Sequence, residues 1–276
     1  MKSIVVPVNF SLTSTHAAHY AADLAAAIGG QLHLIHVFQL PPVVLENPMP
    51  DSAIDALRDS AADQLKALTG ELAKRTAGHV PIDTVMETGA VSYRLGKYCE
   101  AIKPFMVVMG AVASAFDRFL AGSPTLEALR HLPYPLLVIP ANVEFEKPER
   151  ILLACDFEDI ENGMAGAVTF LRDLKDLFGP DFQVINVTTA AEEGQGEAKY
   201  AFSAWRSRLR DIHPELNFLH TRTVVDGVEE YLDEHPADWL IVFPKKHAFL
   251  HRSQTRKLVL HSHVPVMSIH EKTTAP

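Results

Sequence analysis

The sequence predicts an α/β protein made of two tandem, doubly wound, open parallel sheets of five strands each. Three observations carry that prediction. Short apolar runs alternate with segments of helical periodicity, the pattern of βαβ units. The runs at residues 105–109 and 239–243 are almost continuously apolar, as strands covered on both faces must be. The whole series of elements occurs twice within 276 residues, a length that suits two cores at roughly 100–200 residues per domain.

The first copy opens with a strand over residues 3–8. Ser11 or Thr13 is the expected N-cap of a helix. Ala17, Ala21, Leu24 and Ile28 recur at helical spacing, and Gly29-Gly30 ends that helix. Residues 32–37 form the second strand. Behind Asp51 a long helix is striped by Ile54, Leu57, Ala61, Leu65, Leu68 and Leu72. A third strand (81–86), a helix (90–102), a fourth strand (105–109), a helix (125–131) and a fifth strand (136–139) follow.

The second copy repeats this order. Strands are expected near 151–155, 182–187, 217–225, 239–243 and 265–269, and helices near 160–178, 197–211, 228–235 and 254–261. Ser3 aligns with Arg150, Pro104 with Asp238 and Pro135 with Pro265, so the second copy is shorter by 17 residues. Residues 141–149 are polar, contain Pro148 and read as a linker. The expected domains are therefore 1–142 and 149–276.

Composition narrows the function classes. Hydrophobic residues are 47% of the chain and charged residues 21%, a globular balance. The net charge of −9 weighs against broad binding to nucleic acid or an anionic membrane, both of which need a basic surface. Two cysteines, Cys99 and Cys155, make no disulfide framework and no CxxC. The apolar N-terminal run is too short for a signal peptide or a membrane span. A cytoplasmic protein is expected.

The opening segments Pro7-Val-Asn-Phe-Ser11 and Ala154-Cys-Asp-Phe157 resemble the start of universal stress proteins. So do Val85-Met-Glu-Thr-Gly89, Val107-Val-Met-Gly110, the pair Gly122-Ser123 and the closing Pro135-Leu-Leu-Val-Ile-Pro140. The resemblance covers nearly the whole chain as two copies. It implies strand order 3-2-1-4-5 in each copy and pairing through the fifth strands, so that one chain forms an intrachain pseudo-dimer, with a homodimer as a further option. Given that order, the ligand crevice lies at the carboxyl ends of strands 1 and 4, where the order reverses.

Many members of that family bind ATP with an Asp after strand 1 and a loop Gly-x2-Gly-x9-Gly-Ser/Thr after strand 4, whose glycines let backbone N–H groups approach phosphates. The first copy departs from this. Asn9 stands where the family has Asp, and Ala113 where it has the second glycine. Gly110, Gly122 and Ser123 remain. In the second copy Asp156 is present, but its loop, residues 244–253, lacks glycine and supplies Lys245, Lys246 and Arg252 instead. Residues 244–257 form a basic island that reads either as an anion site or as a solvated surface. His247, His251, His261 and His263 sit close in sequence without an interleaved Cys or acidic ligand, so no metal site is expected.

No GxSxG, HExxH, GxxxxGK[ST] or GxGxxG is present, and Gly194-Gln-Gly196 reads as a turn. Cys99 and Cys155 read as packing residues. The expected function is a non-enzymatic, stress-associated regulatory protein holding an adenine nucleotide, ATP with Mg²⁺, in its first domain and acting on a protein partner. The alternative is a nucleotide-free scaffold with both sites degenerate. Slow ATP hydrolysis is the third.

Overall fold

The computed structural model describes residues 1–39, 50–111, 124–154, 165–188, 209–243, 256–259 and 262–270. The chain divides into two compact units, Met1–Ala128 and Leu129–Pro276.

The first unit runs β1 (Ser3–Pro7), α1 (Leu12–Ile28), β2 (Gln31–Phe38), α2 (Asp51–Arg75), β3 (Ile82–Thr88), α3 (Val91–Ile102) and β4 (Met106–Gly110); α4 (Pro124–His131) then crosses the division in sequence. β1 pairs in parallel with β2 on one side, Ser3 opposite Gln31 through Pro7 opposite Ile35. On its other side it pairs with β4, Ile4 opposite Met106 and Val5 opposite Val107. With β2 also paired to β3, the order is β3-β2-β1-β4.

The second unit holds β5 (Leu136–Ile139), β6 (Arg150–Ala154), α5 (Ala165–Phe178), β7 (Asp181–Thr188), β8 (Glu215–His220), α6 (Val224–Glu234), β9 (Trp239–Val242) and β10 (Val266–Ser268). Its order is β5-β10-β9-β6-β7-β8. All neighbours are parallel except β5 and β10, where Val138 faces Val266 and Leu136 faces Ser268 in antiparallel register. This is the fifth-strand pairing that the family resemblance implies. Asp238 sets the start of the second copy, because its Oδ2 accepts from the backbone N–H groups of Glu149 and Arg150 at 2.7 and 2.8 Å.

The first helix shows why these residues form these elements. Ser11, in extended backbone, caps α1 by accepting from the Ser14 N–H at 3.3 Å. Gly29 closes it in the left-handed region at φ 59°, and the Gly30 N–H reaches the Ala25 carbonyl at 2.8 Å, the usual glycine stop. Ala17, Ala18, Ala21, Ala22 and Ala25 are fully buried, so the helix lies close on the sheet. α2 buries Ala61, Leu65, Leu68 and Leu72 and is clamped to α1 by Arg75, whose guanidinium makes a bidentate pair with Asp23 at 2.7 and 2.8 Å. The apolar stripe expected on α2 starts late: Leu57 is 44% exposed.

The strand expected at 217–225 is shorter than the alternation suggested. β8 ends at His220, and Thr223 caps α6 by accepting from the Asp226 N–H at 3.1 Å. Val224 and Val225 therefore begin a helix despite their β-branched side chains; burial of Val225 and Val228 outweighs propensity. Of the helix expected at 197–211 only the turn from residue 209 on is described, and Leu209 and Ile212 there are buried. No helix among the described residues is long and apolar enough to cross a membrane.

One polar chain runs through the first core. The Gln31 amide nitrogen donates to Ser3 Oγ at 2.8 Å and to His33 Nε2 at 2.9 Å. The proton of neutral His33 then sits on Nδ1, which lies 3.0 Å from the Tyr98 hydroxyl. Burial pushes the His33 pKa below the ordinary histidine value, an effect partly offset by Asp83 at 3.6 Å. A depressed folded-state pKa means that the unfolded chain takes up a proton which the native chain refuses. The stability due to neutral His33 is full above about pH 6.5 and declines as pH falls through the folded-state value. Urea midpoints measured between pH 7 and pH 5 should therefore fall more steeply for the wild type than for His33→Gln; equal slopes would remove His33 from the account.

Cys99 is fully buried on α3, and desolvation pushes its thiol up to about 12. Only the thiolate is nucleophilic. In native protein at pH 8 Cys99 should resist iodoacetamide, and in urea it should label fully, as mass spectrometry would show.

Candidate functional site

Because β1 lies between β2 and β4, strand order reverses at the β1/β4 boundary, and the same reversal recurs where β6 lies between β7 and β9. In a parallel sheet this leaves a crevice at the carboxyl ends of the two strands. In the first unit the crevice is rimmed by the turn 8–14 after β1 and by Gly110 at the end of β4.

The turn after β1 is braced by its own side chains. Asn9 Oδ1 accepts from the Ser11 N–H at 3.2 Å and from the Ser11 hydroxyl at 2.7 Å. The Asn9 N–H donates to Ser14 Oγ at 3.3 Å. Ser11, Thr13 and Ser14 thus place three hydroxyls around the first turn of α1. Asn9 itself is exposed. Its oxygen serves the turn, and its amide nitrogen is the group left to meet a ligand. Between Asn9 and Ser11, Phe10 adopts φ 62°, a left-handed conformation that costs a non-glycine residue about 1 kcal/mol.

Gly110 is explained first by packing. A Cβ there would run into the Thr13 backbone, lying 2.8 Å from its carbonyl carbon and against its carbonyl oxygen. The glycine lets the first turn of α1 sit on the end of β4. The Gly110 carbonyl in turn accepts from the Thr125 hydroxyl at 3.3 Å, tying the start of α4 to the same rim.

His36 and Arg94, not singled out from sequence, complete the described rim together with Phe10 and Gly89 of the family-like motifs. His36, near the end of β2, is 9% exposed and donates from Nδ1 to the Val8 carbonyl at 2.8 Å. The Phe10 ring stacks on it, with centroids 4.7 Å apart and planes 30° apart. The signal available in the sequence was a histidine set among apolar residues of a strand. At the end of β3, Gly89 takes φ 132°, and Arg94 fastens the turn by donating to the Thr88 carbonyl at 2.9 Å and pairing with Glu87 at 3.5 Å.

Asn9 and Gly110 are thus both placed on one rim. Gly122, Ser123, Asp156, Lys245, Lys246 and Arg252 lie outside the described residues, as do Cys155, His247, His251 and His261. Among the described residues no group of three or more His, Cys, Asp or Glu is arranged to hold a metal.

Two copies of a doubly wound α/β unit, each with its crevice at the strand-order reversal, define the class of protein. The family model for the universal stress protein family matches residues 1–140, the first copy, and the chain belongs to that family. Among solved structures the chain is similar to a universal stress protein from Archaeoglobus fulgidus DSM 4304, at 17% identity over 98% of this chain and 96% of that one, with a TM-score of 0.73. A functionally unknown protein from Pseudomonas aeruginosa PAO1 matches at 14% identity over 98% and 92%, with a TM-score of 0.60. The cytoplasmic domain of a prokaryotic cation chloride cotransporter matches at 12% identity over 99% and 97%, with a TM-score of 0.55. At these identities the likeness is one of fold. No curated protein matches the chain in sequence.

Gly110→Ala forces the α1 turn off β4. Overpacking of this kind costs about 1–3 kcal/mol, so chemical denaturation should show a loss of that size; an unchanged midpoint would mean that α1 relaxes freely.

Proposed function

We propose that the chain is a non-enzymatic regulatory protein of the stress response that holds an adenine nucleotide in the crevice of its first unit and signals through a protein partner. The observation that carries this reading is the strand-order reversal at β1/β4 with the N-terminus of α1 opening beside it. Asn9 fits the nucleoside end as a donor, through its amide nitrogen, to a ribose oxygen. Gly122 and Ser123, from the sequence pattern, would meet the phosphates. No carboxylate stands at the described ends of β1 and β4, so Mg²⁺ would be carried by the phosphates.

A second reading, a nucleotide-free scaffold, is favoured by a different observation: Asn9 Oδ1 and Gly110 both already have full structural employment within the turn. One pair of measurements separates the two. Mass spectrometry of denatured, freshly purified protein should release an adenine nucleotide, and calorimetry of stripped protein with ATP and Mg²⁺ should give saturable heat that Gly122→Asp abolishes. No nucleotide and no heat at high micromolar ATP, with folded protein, would leave the scaffold. Phosphate release above blank, lost in Gly122→Asp, would instead make the protein an ATPase.

A further inference from the structure

We infer that Gln31, His33, Tyr98 and Asp83 form an acid-operated switch in the first unit, in which protonation of His33 reverses the Gln31 amide, creates an ion pair between β2 and β3, and reaches the end of β3 through α3. It stands apart from the nucleotide reading, because Gln31, His33 and Asp83 lie at the starts of β2 and β3. The structure holds the neutral state. His33 is more than nine-tenths buried. Its Nε2 accepts from the Gln31 amide nitrogen at 2.9 Å, and its Nδ1 lies 3.0 Å from the Tyr98 hydroxyl. The same Gln31 nitrogen uses its second proton on Ser3 Oγ at 2.8 Å. Both ring nitrogens are thus satisfied while the ring is uncharged.

Adding a proton breaks this pattern at one place. Both nitrogens of a charged imidazole are donors, so Nε2–H faces the Gln31 NH2, donor against donor. Turning the amide over puts its Oε1 where the nitrogen was. That oxygen has two lone pairs, so it accepts from His33 Nε2–H and from the Ser3 hydroxyl, which rotates to donate. Nδ1–H keeps Tyr98. The new charge meets Asp83, the register partner of His33 on β3, whose Oδ2 is 3.6 Å from Nδ1. Among the described residues Asp83 is the charge that acts on His33. Val5 lies opposite His33 on β1, the Cys99 thiol on α3 is held neutral, and Lys97 and Glu100 of α3 pair with each other at 2.7 Å. The change has a route outward. Arg94 and Tyr98 are four residues apart and share a face of α3. Tyr98 fastens that face to His33, and Arg94 fastens it to the Thr88 carbonyl and to Glu87, beside Gly89. Drawing His33 toward Asp83 moves the group that Tyr98 holds, and α3 carries the shift to Gly89.

The experiment is NMR of the full-length chain, titrated downward from about pH 7.5 through and below the ordinary histidine pKa of about 6.5. The His33 ring nitrogens, the Gln31 side-chain amide and the Gly89 backbone amide should shift with one shared midpoint. Contacts between the Gln31 NH2 protons and the His33 ring should vanish in acid. Gln31→Glu offers Nε2–H an acceptor without any reversal, so the His33 midpoint should rise by about one pH unit, the size of a hydrogen bond to a charged group. Asp83→Asn should lower the proton affinity of His33 by about threefold, as for an exposed ion pair. Tyr98→Phe should leave the Gln31 response standing and silence Gly89.

A Gln31 amide that ignores the His33 titration, or a His33 midpoint indifferent to Gln31→Glu, overturns the assignment. So does a Gly89 that fails to follow His33 in the wild type or still follows it in Tyr98→Phe. A His33 that stays neutral until the protein unfolds overturns it as well.

Discussion

The close seating of α1 on the sheet governs the first unit. A parallel sheet wound on both faces leaves no solvent side, and each helix must approach until apolar surfaces meet. Here five buried alanines bring the helix axis near the strands, and Gly110 removes the one Cβ that would collide with the Thr13 backbone. That contact determines where α1 begins. It places the Ser11 cap over the ends of β1 and β4 and leaves three residues, Val8, Asn9 and Phe10, to bridge from strand to helix. So short a bridge helps explain why Phe10 sits in the left-handed region and why Asn9 spends its oxygen on the Ser11 N–H and hydroxyl.

The polar groups of the two units are handled differently. In the first, polar atoms are joined into chains: the part-buried Ser3, Gln31 and Tyr98 with the buried His33, and, at the helix start, the exposed Asn9 and Ser11 with Thr13 and Ser14. Each bond adds little net stability, but leaving a buried member such as His33 or Ser14 unpaired would cost more. In the second unit Ser268 of β10 is fully buried with its hydroxyl unpartnered among the described residues, opposite Leu136 of β5. The small side chain lets the antiparallel strand β5 pack against β10, and the hydroxyl is carried along. Asp238 does the opposite service at the start of β6, where one carboxylate satisfies two backbone donors.

Much of this was legible beforehand. Strand and helix alternation, the tandem repeat, the Ser11 cap and the Gly29 stop follow from residue spacing and from the backbone freedom of glycine. They are local properties, set within a few residues. The errors share one cause. Strand alternation continued through 217–225, yet the chain turns at Thr221–Thr223 because Val225 and Val228 find a buried place on a helix. The stripe on α2 began at Ile54, yet Leu57 stays 44% exposed because burial of the stripe starts only at Ala61. Gly110 was legible as a site glycine, whereas its tightest constraint is the Thr13 backbone, far away in sequence.

The sequence by itself determined the class of fold, its duplication, the order of elements and the ends of the best-capped helices, because periodicity and capping act over one or two turns of chain. Only the tertiary structure decided which partners those elements found: β5 running antiparallel to β10, Gly110 against Thr13, Phe10 folded onto His36, and Asn9 with its acceptor already engaged. These depend on how closely distant segments approach and on which polar atoms remain once neighbours have been satisfied, and neither quantity is written in residue spacing.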